Sequence, residues 1–361
     1  MPGVDCQSGF PCSGRMLTWN HESDGTGTDR SGHGRGDPRA VGGMNQEMAS
    51  TTMPLDAELI AVVAAVTARM PRVLTLETGN SLPSGPFESA HRSLQAGVRS
   101  WVERQTHHPL GHIEQLYTFA DRDRLESSGP RRVISVGYLA LTLESRRDPE
   151  PGVGWWSWYR YFPWEDHRQG PPPVLGPILG ALEGWATRAS GAPGRRERRR
   201  RYRHAFGAGG LAWNEEWVLQ RYELLYEAGL IAEAQRRSPG AEPGRDDPPT
   251  GEAMVQDHRR ILATAITRLR AKIKYRPVVF ELLPATFTYL ELQQAVEAIA
   301  GLRLHKQNFR RLMVQQKLVE PTGAIEVRTG GRPARRYRFR REVLLEQAPG
   351  GARLPQARGR I

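Results

Sequence analysis

The sequence predicts a mixed α/β domain, then a helical linker, then a basic C-terminal module of two short helices and a hairpin. Strand-like apolar runs alternate with one helical stretch in the first half of the chain. Residues 300–341 hold twelve Lys/Arg against two carboxylates, a net charge of +10 within a chain whose net charge is +12. A chain of 361 residues is long enough for two domains with cores of their own.

The first 53 residues predict a disordered leader, since they are rich in Gly, Ser, Asp and Arg and contain no apolar stretch of signal-peptide type. No apolar run approaches the roughly 20 residues that a membrane span needs. We therefore expect a cytoplasmic protein without a membrane partner. Both cysteines, Cys6 and Cys12, lie in this leader, which argues against a disulfide framework or a Cys-based metal site.

Five apolar segments predict the strands and the helix of an α/β domain over residues 54–170. Four have the runs or alternation of buried strands, and one has helical spacing. The strands are predicted at 55–68, 73–78, 113–119 and 132–144, and the helix at 89–105. The aromatic stretch at 155–165 predicts a sheet edge and core packing, because Trp and Tyr bury large areas; a ligand-stacking surface is the alternative.

The middle of the chain, residues 171–273, predicts an Arg/Gly/Pro-rich linker that contains helices. Loops are expected at 185–210 and 235–251. We interpret the run Arg195–Arg203 (RRERRRRYR) as solvated linker, with a phosphate-binding arm as the alternative.

Two helices are predicted within this linker. Asn214 is a suitable cap for the first, and Glu215 and Glu216 suit the positive end of its dipole. The second is predicted from 252 to 274 by a stripe of apolar residues. We expect these helices to join the two domains and to pair across a dimer.

Residues 274–342 predict a winged helix-turn-helix, followed by a flexible tail over 343–361. Thr288 and Glu291 form a capping-box pattern at the start of one helix, and Gly301 supplies its stop. A second helix at 305–316 turns its apolar residues inward, and a Gly-Gly turn then leads into a strand in which arginines alternate with aromatic residues.

This module predicts binding to double-stranded DNA. Asn and Gln recognise adenine edges, while Arg and Lys recognise guanine or hold phosphate. A basic helical hairpin without a specific function is the alternative. The candidate DNA-binding residues are Lys306, Gln307, Asn308, Arg310, Arg311, Arg332, Arg335, Arg336 and Arg338.

Residues 85–107 match part of the Nudix hydrolase pattern G-x5-E-x7-R-E-U-x-E-E-x-G-U, where U is bulky and apolar and the glutamates hold catalytic cations. The positions that match are Gly85, Arg99, Trp101 and Glu103, and those that differ are His91, Ser100, Arg104, Thr106 and His107. Arg104 replaces a metal-binding carboxylate with a cation that repels Mg²⁺. We therefore expect no catalytic residue, metal or cofactor; an ordinary amphipathic helix in an unrelated domain is the alternative.

His107, His108 and His112 cluster after this helix. They lack a carboxylate or Cys at ligand spacing, so we expect a loop or hydrogen-bonding role for them and not a metal site.

Four segments resemble the Nudix-related transcriptional regulators of NAD metabolism (NrtR/NadQ type), and most closely the branch with a degenerate Nudix box. They are GHIEQLYTFADRDR (111–124), RRVISVGYLAL (131–141), residues 272–311 and GRPARRYRF (331–339). The resemblance implies a Nudix-like α-β-α sandwich that senses an NAD-related nucleotide such as ADP-ribose or NAD. It further implies a C-terminal winged helix, a homodimer and repression of NAD biosynthesis genes.

The resemblance also implies a set of effector-binding residues on the Nudix-like helix and on the segment that borders the ligand cleft. They are Arg99, Glu103, Arg104, Gln115, Tyr117, Phe119, Asp121, Arg131 and Arg132. Two alternatives stay open. The first is a Nudix-type hydrolase of ADP-ribose or NAD with an appended DNA-binding domain, in which Glu88 and Glu103 hold Mg²⁺. The second is a binding module that responds to no ligand.

Overall fold

The computed structural model describes residues 55–121, 132–144, 151–236, 248–326 and 333–342. The strands of this part of the chain are β1 (Leu55–Thr67), β2 (Met70–Thr75), β3 (Ser84–Pro86), β4 (Ile113–Phe119), β5 (Arg132–Leu141), β6 (Gly154–Ser157), β7 (Val319–Glu326) and β8 (Ala334–Phe339). Its α-helices are α1 (Leu94–Thr106), α2 (Leu175–Thr187), α3 (Gly191–Phe206), α4 (Val218–Glu227), α5 (Ala232–Gln235), α6 (His258–Lys272), α7 (Tyr289–Ala300) and α8 (Lys306–Gln315).

Six strands form a mixed sheet in the order β4-β5-β1-β2-β6, with β3 paired to β1. The long strand β1 is parallel to β5 and antiparallel to β2 and β3. Side chains alternate between the two faces of a strand, so the continuous apolar run of β1 needs cover on both sides.

Helices supply that cover on both faces of the sheet. Leu59 of β1 packs in one cluster with Val98 and Val102 of α1. Ile60 of β1 faces the opposite side, in a second cluster that contains Leu262 of α6. The predicted α-β-α sandwich is therefore confirmed. Helix α1 begins later than predicted, because Ser93 caps it by accepting a hydrogen bond from the Ala96 amide at 3.1 Å.

The second cluster extends from the sheet into the C-terminal module. It contains sheet residues such as Val62 together with Phe309 and Met313 of α8, so the two parts share one hydrophobic core. The aromatic stretch contributes as predicted: β6 is an edge strand, and Trp158 and Trp164 behind it are buried. Within the described ranges, no helix has the length and apolar character needed to cross a bilayer.

Two predictions for the middle of the chain are wrong. The loop expected at 185–210 is helical for most of its length, because α2 and α3 pack on each other and bury apolar residues such as Trp185 and Phe206 in the main core. Asn214 does not cap α4, which begins at Val218. Its side-chain oxygen accepts a hydrogen bond from the Glu216 amide at 2.9 Å and so closes a turn before the helix.

Candidate nucleic-acid interface and nucleotide cleft

Helix α7 is bounded by the two signals that the sequence contains. The Thr288 hydroxyl accepts a hydrogen bond from the Glu291 amide at 3.2 Å, and the Glu291 carboxylate accepts one from the Thr288 amide at 2.8 Å. This is a complete capping box. Gly301 ends the helix at φ +70°, a left-handed conformation that glycine adopts without strain.

Side chains of α7 fix the turn that leads into α8. The Glu297 carboxylate accepts hydrogen bonds from the Leu304 amide at 2.9 Å and from Gln293 at 2.8 Å. Gln293 also donates to the Leu304 carbonyl at 3.1 Å. The turn is thereby held in one geometry, which sets the angle at which α8 leaves α7. Sequence reasoning missed both residues, although their i, i+4 spacing is a signal that could have found them.

Helix α8 presents a polar, cationic surface to solvent. Phe309 and Met313 are buried against the rest of the module. Five of the predicted DNA-binding residues are exposed on this helix: Lys306, Gln307, Asn308, Arg310 and Arg311. Within the described residues, no carboxylate forms an ion pair with the three cations among them. Their charge is therefore available to a phosphate backbone.

The hairpin of β7 and β8 forms the wing. Phe287 forms an antiparallel β-bridge to the hairpin. Its amide donates a hydrogen bond to the Tyr337 carbonyl at 2.9 Å, and its carbonyl accepts one from the Tyr337 amide at 2.7 Å. Phe339 stacks on Phe280 with ring centroids 4.3 Å apart, so the aromatic face of β8 packs inward as predicted.

The arginines of the wing differ in their availability. Arg335 is exposed. Arg336 is held by Glu326 at 3.0 Å and by the Thr286 carbonyl at 2.7 Å, and Arg338 pairs with Glu320 at 2.5 Å. Both carboxylates would have to be displaced or shared before these two arginines met a phosphate. Arg332 lies outside the described residues.

A buried ionic cluster connects the sheet domain to the end of α7. Glu165 binds Arg221 at 2.6 and 2.9 Å and Arg270 at 2.5 Å, and all three side chains are inaccessible to solvent. Arg270 also donates to the Ile299 carbonyl of α7 at 2.8 Å. Burial alone would raise the pKa of Glu165, but the two guanidinium groups outweigh it and hold that pKa below its ordinary value.

Two further hydrogen bonds reach the same helix end. The Tyr159 hydroxyl donates to the Ala298 carbonyl at 2.7 Å, and the His167 amide donates to the Gly301 carbonyl at 2.7 Å. The segment after β6 is thus bonded directly to the turn of the helix-turn-helix.

In the loop and helix of the partial Nudix pattern, Gly85 lies against Trp101, and the altered positions carry no metal-binding carboxylate. A Cβ on Gly85 would lie 2.2 Å from the Trp101 ring, so glycine is required for the loop to approach the helix. His91 accepts a hydrogen bond from the Glu88 amide at 3.0 Å. The Arg104 guanidinium lies 3.9 Å from the centroid of the Trp101 ring, which places a cation where the pattern has a glutamate.

The other helix candidates have different roles. Arg99 donates hydrogen bonds to the carbonyls of Leu110 and Gly111, so it ties α1 to the following loop. Glu103 is exposed. The described residues contain no group of three or more His, Cys, Asp or Glu that could hold a metal ion. His108 has a hydrogen-bonding role, since its ring nitrogen is 3.0 Å from the Thr142 hydroxyl.

Strand β4 separates the remaining candidates between the two faces of the sheet. A bulge between Gln115 and Tyr117 reverses the alternation. Gln115 is paired with Tyr138 of β5, and Tyr138 belongs to the hydrophobic cluster that contacts α1. Phe119 lies in the core on the α6 side, and only 4% of its surface is exposed.

The structure thus does not bring together all the residues predicted to bind the effector. Phe119 is a core residue and not a free cleft residue. Asp121 binds Arg260 of α6 at 2.6 Å. Tyr117 is 60% exposed and contacts the Phe119 ring, with centroids 5.2 Å apart. Arg131 and the side chain of Arg132 lie outside the described residues.

Glu58 is a half-buried carboxylate that sequence reasoning missed. It belongs to β1, its carboxylate lies 3.5 Å from the Ser135 hydroxyl, and burial raises its pKa. The signal was available, because Glu58 is the last carboxylate before an uninterrupted apolar run. It lies on the α6 side of the sheet, together with Phe119.

Comparison with known proteins identifies the C-terminal module. Residues 279–339 match the family described as the NrtR DNA-binding winged helix domain, which confirms the predicted winged helix. The ADPR responsive transcriptional repressor NtrR of Acinetobacter baylyi is 41% identical over 83 residues, which make up 23% of this chain and 33% of that protein. The chain thus spans about a third of the length of this curated relative.

Two solved structures are similar over most of the chain. One is Shewanella oneidensis NrtR complexed with a 27mer DNA, at 19% identity over 80% of this chain and 94% of that chain, with a TM-score of 0.46. The other is a MutT/nudix family protein from Enterococcus faecalis, at 17% identity over 82% and 90% of the two chains, with a TM-score of 0.46.

Proposed function

We propose that this chain, which has the domain make-up of the NrtR-type Nudix-related regulators, is a DNA-binding transcriptional repressor of NAD biosynthesis genes. Helix α8 reads a palindromic operator, and the Nudix-like domain senses an NAD-related nucleotide without hydrolysing it. The protein acts as a homodimer, whose half-sites lie about 10 base pairs apart or a multiple of that.

The exposed face of α8 is the observation that supports DNA binding most strongly. Its cations have no carboxylate partner in the described residues, and Gln307 and Asn308 lie exposed beside them. Amide side chains between cations suit the major groove, where bidentate contacts distinguish bases and cations hold phosphates. The match of residues 279–339 to a DNA-binding winged helix supports the same assignment.

The altered positions of the Nudix-like helix support sensing over catalysis. Arg104 lies on Trp101, and His91 is bonded to the loop before the helix, so neither position offers the carboxylate that a catalytic cation needs. A cation at position 104 suits a phosphate of the nucleotide. The Acinetobacter relative is named as responsive to ADPR, which makes ADP-ribose the first nucleotide to test.

Selection of bound sequences from a random duplex library tests the DNA-binding half of the proposal. The wild type should enrich a palindrome, and Arg311→Ala should weaken binding to it by about 1–3 kcal/mol, or roughly 5- to 150-fold. Arg92→Ala removes the same charge from an exposed site outside the module and serves as the control. An unchanged dissociation constant for Arg311→Ala would remove α8 from the interface.

Turnover of ADP-ribose and NAD in the presence of Mg²⁺ or Mn²⁺ tests the catalytic half. The proposal expects no AMP release above the protein-free rate. Turnover that disappears in Glu103→Gln would instead establish a hydrolase, with Glu103 as a metal ligand.

A further inference from the structure

Helix α3 carries a large positive charge although it lies outside the winged helix. Its residues include seven arginines and one glutamate, Glu197, a net charge of +6 on one 16-residue helix. Like charges at i, i+4 destabilise a helix, so this composition works against the fold unless other contacts compensate for it.

The inner face of α3 supplies that compensation. Tyr202 and Phe206 are buried in the main core. Arg198 donates to the Trp185 carbonyl at 2.9 Å, and its guanidinium lies 4.3 Å from the centroid of the Trp185 ring. The helix is therefore an integral element of the fold and not the solvated linker that the sequence predicted.

Neighbouring carboxylates neutralise the arginines on the flanks of the helix. Arg199 binds Glu183 of α2 at 2.6 Å, and Arg201 binds Glu227 of α4 at 2.8 Å. These ion pairs link α3 to both adjacent helices, and they neutralise two of its seven positive charges.

A stripe of three arginines remains on the outer face. Arg196, Arg200 and Arg203 are spaced i, i+4 and i+7, which places them on one side of the helix, and all three are exposed. Arg200 forms an ion pair with Glu197 at 2.7 Å, yet 70% of its side chain is exposed. From Arg196 to Arg203 the helix rises about 10 Å, the length of about three nucleotide steps along one DNA strand.

We propose that this stripe (Arg196, Arg200 and Arg203) is a second DNA contact, which binds the phosphate backbone of double-stranded DNA without reading its sequence. Guanidinium groups bind phosphate oxygens in bidentate fashion and match this ligand in charge and geometry. The inference rests on the proposed function, and it adds a sequence-independent surface outside the winged helix.

An anionic membrane is the other polyanion to consider, and the composition of the helix disfavours it. Helices that lie in a bilayer interface pair their cations with exposed Trp, Phe or Leu. The large apolar residues of α3 are buried, and none of its described residues is an exposed large hydrophobic.

The salt dependence of binding to a 40-base-pair duplex of arbitrary sequence tests the proposal. The variant is the triple Arg196→Gln/Arg200→Gln/Arg203→Gln. Its slope of log K against log salt should fall by roughly 2 to 3, because each phosphate contact contributes about 0.9. The corresponding Arg→Lys triple keeps the charge and should keep most of the slope, which separates loss of charge from loss of structure.

The control is the triple Arg69→Gln/Arg92→Gln/Arg276→Gln, which removes three exposed arginines elsewhere. A slope equal to that of the wild type in the α3 variant, or an equal loss in this control, overturns the proposal. Loss of binding to phosphatidylserine vesicles with DNA binding intact also overturns it. If the α3 variant is unchanged while Arg311→Ala still loses the operator, the proposed function stands and only this inference fails.

Discussion

At the scale of single residues, one buried carboxylate holds three parts of the molecule together. Glu165 follows the aromatic segment of the sheet domain, Arg221 lies on α4, and Arg270 lies on α6 and reaches the end of α7. A buried ion pair adds little net stability compared with an apolar replacement, but loss of one partner leaves an uncompensated charge in the core. The cluster therefore fixes where the helix-turn-helix sits on the sheet domain.

Removal of this carboxylate should be costly. Glu165→Gln leaves two guanidinium groups buried without a counter-charge, so we expect the free energy of unfolding to fall by about 3–5 kcal/mol. Glu183→Gln breaks the more exposed pair with Arg199 and should lower the free energy of unfolding far less. Urea denaturation of both variants measures the difference. Similar losses in the two variants would contradict a structural role for the buried cluster.

A buried histidine predicts how stability depends on pH. His258 is 2% exposed, accepts a hydrogen bond from the Leu82 amide at 3.0 Å, and has its pKa lowered by burial to about 4. The unfolded chain binds a proton near pH 6.5 and the folded chain does not, so stability is lost as pH falls below 6.5. This residue alone should remove about 2 kcal/mol of stability at pH 5.

His258→Asn keeps an acceptor for the Leu82 amide without a titrating group. The loss of unfolding free energy between pH 7.5 and pH 5 should therefore be smaller in this variant than in the wild type. Equal losses in both proteins would show that His258 is not the titrating group.

At the scale of elements, local sequence patterns predicted the helix-turn-helix correctly. Contacts between residues far apart in the sequence were not predicted. The capping box at Thr288 lies within four residues of sequence and is complete in the structure. The Glu165–Arg270 pair joins positions 105 residues apart, and no local pattern indicates it. Helix α3 was interpreted as linker because its composition is dominated by arginine, while the aromatic residues that anchor it pack on distant helices.

The effector site shows the same limit. The resemblance supplied a set of candidates on β4, but the bulge after Gln115 turns Phe119 toward the α6 core. A bulge adds one unpaired residue and leaves no clear mark in the sequence. On α1, by contrast, helical spacing alone determines which side is buried, and Val98 and Val102 lie on that side.

The glycine that ends α7 provides a test at this scale. A Cβ on Gly301, at φ +70°, would lie 2.3 Å from the Glu165 carbonyl. Gly229, at φ +72°, has nothing within 4 Å of that position. Gly229→Ala should cost about 1 kcal/mol for backbone conformation alone, and Gly301→Ala clearly more, because the clash adds to that cost.

Thermal unfolding of the two alanine variants measures this difference. Gly301→Ala should also weaken operator binding, since the turn before α8 is displaced. Equal stabilities for the two variants would mean that the backbone of α7 does not pack closely against Glu165.

At the scale of the whole molecule, the sheet and the winged helix share one core and a set of buried hydrogen bonds. A nucleotide that prefers one arrangement of the sheet domain can therefore bias the position of α8. Linkage requires the effect to be mutual: if the nucleotide weakens DNA binding, DNA weakens nucleotide binding by the same factor.

Operator affinity measured with and without saturating ADP-ribose tests the central claim most directly. Fluorescence anisotropy of the selected operator should give a dissociation constant raised at least about 5-fold by the nucleotide, the lower end of typical coupling energies. A dissociation constant that ADP-ribose leaves unchanged, although calorimetry shows that it binds, would contradict the account of a nucleotide-sensing repressor.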